Sequence, residues 1–198
     1  MKNRISHLVA ISLVSAFAAG CASTSSKFYT LNSTAKGDGA SGANYSVAVG
    51  PVSIPAEVDR PQFTVQVAPN CVAVDEFNRW AEPLDSNIAR VVACDLSVLL
   101  GTPHVVAVPM ANFNPVYRVT IDVQRFESVP GKSVQIEAVW VVSKSGGDAP
   151  LSGRTVVAEP VTGEGFEALA SAHSRALAKL SGDIASAIRI RTEADKKP

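Results

Sequence analysis

The chain has 198 residues, of which 46% are hydrophobic, and its 18 basic and 18 acidic side chains leave no formal net charge. This apolar content excludes an intrinsically disordered protein, and the charge balance argues against nucleic-acid binding, which needs a basic surface to meet phosphates. The length suffices for one domain with a substantial core, even after a leader and a tether are subtracted.

Residues 1–20 are predicted to be an export signal. Lys2 and Arg4 precede a largely apolar stretch at residues 8–19 that contains no charged side chain. A helix of that length covers about 18 Å, which is too short for a hydrocarbon core of about 30 Å, so the segment is not a membrane anchor. Its removal leaves 16 basic and 18 acidic residues, since only Lys2 and Arg4 are lost.

The signal ends in Ala18-Ala19-Gly20-Cys21, which resembles the lipobox of bacterial lipoproteins. In such proteins the signal is cut before the cysteine, whose thiol then carries a diacylglycerol. Small and polar residues follow at 22–26, as a membrane tether requires, and they favour lipidation of Cys21. The alternative is an ordinary secretory signal with Cys21 as a bystander. By resemblance to enterobacterial sorting, Ala22 rather than an aspartate favours the periplasmic face of the outer membrane over the inner membrane.

Two cysteines remain once Cys21 is acylated, and an oxidising compartment favours pairing an even number. We therefore hypothesise a disulfide between Cys71 and Cys94. It would close a loop of about 24 residues and contribute about 3 kcal/mol in the chain-entropy model. The alternative is two separately buried thiols that act as small apolar side chains.

The pattern of the mature chain predicts a lipidated N-terminus and flexible tether over residues 21–44, with a short β-prone patch at 28–31. A folded domain follows over residues 45–190, and residues 191–198 form a frayed tail. Alternating or apolar runs predict strands at 46–54, 63–67 and 71–74, the last two joined as a hairpin through Pro69 and Asn70. Pro51 is expected to break the first ladder or to place that strand at a sheet edge.

Helical periodicity then predicts a helix that begins near Pro83 and ends at Gly101. A short strand at 105–108 precedes long alternating strands at 117–124 and 134–142 and a further strand at 151–158, which form an antiparallel meander. A second helix is predicted over residues 164–190. This order predicts an α/β fold in which a mixed or antiparallel sheet is covered by two main helices.

Motifs that would indicate catalysis are missing from the sequence. It contains no HExxH, CxxC, GxSxG or P-loop pattern, and its carboxylates are scattered, so we predict no enzyme, no metal site and no cofactor. His173 falls on the apolar stripe of the last helix, where a packed core histidine is expected rather than a ligand.

Two polar clusters are candidates for partner binding. The first contains Asp59 and Arg60, and the second contains Arg79, Trp80 and Glu82 at the entrance to the first helix. Arginine and tryptophan are favoured at interface hot spots. The alternative is structural: Trp80 fills a gap in the core, and an arginine pairs with a nearby carboxylate to shape its loop.

Several of these strings together resemble one family, the auxiliary lipoproteins of ABC-type transport systems, or PqiC-like proteins. They are Phe-Tyr-Thr-Leu at 28–31, Val-Gly-Pro-Val at 49–52, Asp-Arg-Pro-Gln at 59–62, Phe-Asn-Arg-Trp-Ala-Glu-Pro-Leu at 77–84 and Ile-Ala-Arg-Val at 88–91. The resemblance extends over nearly all of the mature chain. Cys71 and Cys94 are not part of it.

The resemblance implies a three-layer α/β sandwich and a place in MCE-type intermembrane lipid transport. It further implies a docking or structural lipoprotein at the outer membrane, often a homo-oligomeric ring, that meets a periplasmic MCE-family protein and its inner-membrane transporter. An alternative is a carrier that binds lipid itself, in an apolar pocket between sheet and helices. The sequence shows no apolar excess beyond one core, which counts against that alternative.

Overall fold

In the computed structural model, which describes residues 24–37, 39, 42–107, 113–147 and 149–194, the strands and helices form a mixed α/β fold. The predicted signal, Cys21 and the last four residues lie outside the described residues. In chain order the elements are β1 (Lys27–Tyr29), β2 (Val47–Ser53), β3 (Gln62–Ala68), β4 (Cys71–Trp80), α1 (Leu84–Leu100), β5 (Val105–Ala107), β6 (Tyr117–Val129), β7 (Ser133–Lys144), β8 (Leu151–Pro160) and α2 (Gly165–Ala194).

A five-stranded sheet has the order β5-β2-β6-β7-β8. Strands β6, β7 and β8 form the predicted antiparallel meander, whereas β2 pairs in parallel with both β5 and β6. Pro51 therefore lies in an inner strand and not at an edge. The ladder is interrupted there instead, because the register shifts between Val49 and Val52. Gly50 has a φ of +120°, which glycine adopts more readily than other residues.

The meander buries one face through alternation along its strands. Val119, Ile121 and Val123 of β6 are buried, while Asp122 among them and Arg118 just before them are exposed. On the next two strands, Trp140 pairs with Gly153 across the ladder. A Cβ atom at position 153 would come within 2.1 Å of the Trp140 ring, so glycine makes room for the indole.

A second sheet, which the sequence did not indicate, has the order β1-β4-β3. Strand β1 pairs in parallel with the end of β4, and β3 and β4 form the predicted hairpin. Strand β4 continues six residues beyond the predicted end, through Trp80. Its register against β3 jumps between Asp75 and Arg79, and the Asp75 carboxylate accepts backbone hydrogen bonds from Phe77 (2.9 Å) and Asn78 (2.8 Å).

Both predicted helices are present. Helix α1 begins after Pro83 and ends at Gly101, whose φ of +63° forms a left-handed cap. The helices pack on each other, α1 also on β2 and β5, and α2 also on β7 and β8. Helix α2 continues to Ala194, so residues 191–194 are helical and not part of a frayed tail. Within the described residues, neither helix combines the length and the apolar character needed to cross a bilayer.

The folded body begins earlier than predicted, because residues 27–37 belong to it and not to the tether. Leu31 is fully buried, and its backbone N–H donates to the side-chain oxygen of Asn87 on α1 at 2.8 Å. The Ser33 hydroxyl donates to the buried carboxylate of Asp95, also on α1, at 2.6 Å. The Asn32 N–H donates to the hydroxyl of Ser174 on α2 at 3.1 Å, so this segment is fixed to both helices.

The hypothesised disulfide is not present: Cys71 and Cys94 are both free and exposed. Cys71 begins β4 at the turn of the hairpin, whereas Cys94 lies on α1, which packs mainly on α2, β2 and β5. An even count of cysteines does not bring two elements together, and disulfide geometry requires Cα atoms within about 7 Å.

Candidate docking groove

The structure brings both predicted polar clusters, with the exception of Arg79, to one surface groove with a volume of about 320 Å³. This is within the size range of a small binding pocket. Asp59, Arg60 and Pro61 form one wall, and residues 80–84 form the other wall and the floor. Two strings about 20 residues apart in the sequence thus share one site.

Backbone hydrogen bonds hold the two walls together. The N–H of Trp80 donates to the Pro61 carbonyl at 2.7 Å, and the N–H of Ala81 donates to the Tyr29 carbonyl at 2.8 Å. The loop before Pro61 is turned by a hydrogen bond from the Val58 N–H to the Pro55 carbonyl at 3.0 Å, and the Val58 side chain is buried in the core. The groove is therefore preformed by the backbone of three elements.

Trp80 is a core residue, with only 6% of its surface exposed. Its indole stacks on Phe63 at a centroid distance of 4.2 Å, and it meets Phe126 edge-on at 6.2 Å. Phe63 also contacts Tyr29 and Phe166 edge-on. The geometry favours the structural alternative, in which Trp80 fills a gap in the core. Its indole packs behind the groove and forms the base of the groove.

Glu82 also acts on the shape of the groove. Its carboxylate accepts a hydrogen bond from the Asn87 side-chain amide and forms an ion pair with Arg90 at 2.7 Å. The Asn87 amide also donates to the Thr30 hydroxyl at 3.2 Å. Glu82 thereby joins the start of α1 to the end of β1.

Arg79 does not line the groove. Its Nε donates to the Glu76 carbonyl at 2.8 Å, and its guanidinium lies 3.7 Å from the Glu76 carboxylate. A partly exposed pair of this kind contributes little to stability. Arg79 therefore belongs to the surface of β4, and the structure does not place it with Asp59 and Arg60.

Asp59 and Arg60 are the two predicted residues left available. Both are exposed at the rim, and neither side chain has a hydrogen-bond or ion-pair partner among the described residues. A cation and an anion at the mouth of an apolar groove supply the polar contacts that orient a partner, while the buried floor supplies contact area.

His173 is a core histidine, as the sequence predicted. It is fully buried, stacks on Phe126 at 3.8 Å, and its Nε2 lies 2.8 Å from the Ser128 hydroxyl. Its Nδ1 has no hydrogen-bond partner among the described residues. Burial lowers the pKa of His173 to about 3, so the ring is neutral near pH 7. Both members of this serine–histidine pair are buried, which places them away from any substrate at the surface.

A third polar cluster, which the sequence analysis missed, lies where β8 meets α2. The Glu159 carboxylate binds Arg175 at 3.0 Å and Lys179 at 2.5 Å, and Lys36 lines the same depression. Burial alone raises the pKa of the Glu159 carboxyl, but the hydrogen bonds from Lys179 and Arg175 lower it below the usual value.

The sequence analysis also missed the buried polar residues that fix the N-terminal segment. Asp95 accepts hydrogen bonds from Ser33, from the Ala35 N–H at 3.2 Å and from the Ser181 hydroxyl at 3.1 Å. The sequence does contain an indication of these residues, because Asn87 and Asp95 interrupt the apolar stripe of α1. Buried polar side chains of this kind need partners, which here come from the segment after β1.

The family model for the ABC-type transport auxiliary lipoprotein component matches residues 29–185. A crystal structure of a Xanthomonas campestris protein from family DUF330 aligns with a TM-score of 0.72 and 20% identity, over 87% of this chain and 100% of its own. A second crystal structure, of an uncharacterised protein, aligns with a TM-score of 0.67 and 19% identity, over 83% and 99%. No curated protein matches the chain. At these identities the solved structures establish the fold alone.

Proposed function

Because the chain belongs to the family of ABC-type transport auxiliary lipoprotein components, which implies association with the cell envelope, we propose a specific role for it within such a transporter. It is a non-catalytic docking subunit of an MCE-type intermembrane lipid transport system. It is anchored through diacylated Cys21 to the periplasmic face of the outer membrane, and its groove receives a periplasmic MCE-family protein.

The observation that carries this proposal is that two segments that resemble the family, residues 59–62 and 77–84, meet at one preformed groove. Asp59 and Arg60 at its rim have no partner within the described residues, so their charges are available to another protein. Trp80 and Glu82 are held from behind and give the groove its shape. A homo-oligomeric ring, which the family resemblance implies, would present several such grooves to one partner.

Lipid carriage inside the fold receives less support. The space between the helices and the five-stranded sheet is filled by fully buried side chains, among them Val119, Leu177 and Ile184. A carrier needs an apolar cavity of a few hundred Å³ in that position. We therefore favour docking over carriage.

A photo-crosslinking experiment in the producing bacterium tests the docking site. A benzophenone amino acid replaces Asp59 at the groove rim, and in a matched control it replaces Gln124, which is exposed on β6 of the other sheet. We expect an adduct with an MCE-family protein, identified by mass spectrometry, at position 59 and not at 124. Adding Arg60→Glu should strongly reduce that adduct. Recovery of no MCE-family protein at position 59, or equal recovery at both positions, contradicts the proposal.

The anchor is tested separately. Mass analysis of the mature protein should show a diacylated Cys21 as its first residue, and density fractionation should place the protein with the outer membrane. Cys21→Ser should release it on osmotic shock. A mature protein that begins at an unmodified residue contradicts the lipid anchor and leaves the groove experiment to be judged on its own.

A further inference from the structure

Exposed apolar side chains are concentrated on the three-stranded sheet. Of the nine large apolar side chains exposed in the described part of the chain, five lie on this sheet, although it has fewer strands than the other sheet. Phe28 is 65% exposed and Phe77 is 47% exposed. A grouped set of this kind marks an interaction surface, whereas single exposed apolar residues do not. The five residues are Phe28, Val67, Val72, Val74 and Phe77.

Strand geometry explains why most of these side chains point outward. Side chains alternate along a strand, so Tyr29, next to Phe28, packs on the core, as does Ala73 between Val72 and Val74. Phe28 pairs with Arg79 on the neighbouring strand, and Phe77 lies two residues before Arg79. The two phenylalanines therefore lie on adjacent strands of the same face, offset diagonally by two residues, and neither of them lines the groove.

The length of chain before β1 indicates what meets this surface. Phe28 stands seven positions after Cys21 in the sequence. Fully extended, this stretch reaches about 25 Å, and as a flexible chain it has a root-mean-square reach of about 15 Å. With the acyl chains of Cys21 in the membrane, Phe28 is held close to the lipid headgroups. The fixed segment from Leu31 to Ala35 transmits that position to the folded body.

We propose that the outer face of the three-stranded sheet is a membrane-contact surface, with Phe28 and Phe77 inserted into the phospholipid interface. This inference rests on the lipid anchor of the proposed function. Aromatic side chains are favoured at the interface, and membrane binding is firmer when a lipid anchor acts together with a second membrane signal, here the apolar patch.

The test uses the mature, lipidated full-length protein in vesicles of phosphatidylethanolamine and phosphatidylglycerol, with or without brominated acyl chains that quench tryptophan. The variants Phe28→Trp and Phe77→Trp report on the proposed surface. Val156→Trp is the matched control, because Val156 is 70% exposed on β8 of the other sheet. The native Trp80 and Trp140 are only 6% and 7% exposed, so the parent protein gives a background to subtract.

We expect brominated lipid to remove about half of the added emission from Phe28→Trp and Phe77→Trp, as for a side chain in the interface, and almost none from Val156→Trp. Flotation of the vesicles measures the anchor in the same samples. If the protein floats with the vesicles but Phe28→Trp is quenched no more than Val156→Trp, the contact surface is wrong and the anchor stands. If the protein does not float, the anchor fails and this inference fails with it.

A second copy on the same face is the competing occupant. It would leave Phe28→Trp unquenched by lipid, while a bifunctional photo-crosslinker at position 28 would join two copies. That result would overturn the membrane contact. Far-UV circular dichroism of each variant checks that the fold is intact.

Discussion

The two faces of the three-stranded sheet carry similar residues in opposite environments. The inner face places Tyr29, Phe63 and Trp80 in a packed aromatic cluster, whereas the outer face leaves Phe28 and Phe77 in contact with solvent. Neighbouring residues of one strand, such as Phe28 and Tyr29, differ only in the direction of their side chains. The comparison teaches that exposure, and not residue type, separates the residues that hold the fold from those available to a partner.

Trp80→Ala is expected to have the largest effect on stability among the variants that test this comparison. We expect it to lower the free energy of unfolding by about 3–5 kcal/mol, because it empties a site bounded by Phe63 and Phe126. Urea denaturation followed by circular dichroism measures the change. Arg79→Ala, one residue away on the exposed side, should change it by less than about 0.5 kcal/mol. A stable Trp80→Ala protein that loses its partner would show that the indole acts in binding.

Asp95→Ala tests the connection between the inner core and the N-terminal segment. We expect a loss of about 1–3 kcal/mol, because Ser33, the Ala35 N–H and Ser181 all lose their acceptor. Hydrogen exchange should show faster exchange of the Ala35 amide. The control is Asp59→Ala, whose carboxylate has no partner within the described residues and whose loss should leave Ala35 unchanged. Unchanged exchange in Asp95→Ala would contradict the role of this cluster.

The neutral His173 behind the aromatic cluster predicts a pH dependence. In the unfolded chain the ring takes up a proton near its ordinary pKa of 6.5, whereas burial delays protonation of the folded protein until about pH 3. The unfolded state thus binds more protons in this window. The histidine therefore reduces the free energy of unfolding by about 1.4 kcal/mol per pH unit as the pH falls below 6.5.

His173→Gln keeps a hydrogen-bonding side chain but does not titrate, so comparing it with the wild-type protein isolates the contribution of His173 protonation to the free energy of unfolding. Between about pH 7 and pH 5, the wild-type protein should lose about 2 kcal/mol more than the variant. Denaturant titrations at several pH values provide the measurement. Parallel pH profiles for the two proteins would show that folding leaves the pKa of His173 unchanged.

Phe28→Ser is expected to have the smallest effect on stability. Its side chain is mostly exposed, so the free energy of unfolding should change by less than about 0.5 kcal/mol. Tyr29→Ser, the matched change on the inner face, removes a ring that contacts Phe63 and should cost several times more. Equal losses for the two variants, measured by urea denaturation, would remove the distinction between the faces.

The sequence predicted the elements that rely on local patterns. The meander follows from the alternation in β6 and β7, and α1 follows from its apolar stripe between Pro83 and Gly101. The mixed α/β class with two helices is confirmed. His173 was correctly placed in the core because its position lies on the apolar stripe of α2.

What the sequence did not reveal depends on contacts between distant segments. Strand β1 has three residues, too few for a periodic pattern, and exists only because β4 supplies its hydrogen bonds. The end of β4 is hidden by the register jump at Asp75, which disturbs alternation. The groove requires Pro61, Tyr29 and Trp80 to meet, and spacing along the chain does not specify such a meeting. The disulfide prediction failed because it used only the number of cysteines.

The position of the two tryptophans has a practical consequence. Trp80 lies in the three-stranded sheet and Trp140 in the five-stranded sheet, and both are shielded from water. Each layer thus contains its own intrinsic fluorophore. Single-tryptophan proteins made with Trp80→Phe or Trp140→Phe would report separately on the two layers, and coincident melting curves would show that the molecule unfolds as one cooperative unit.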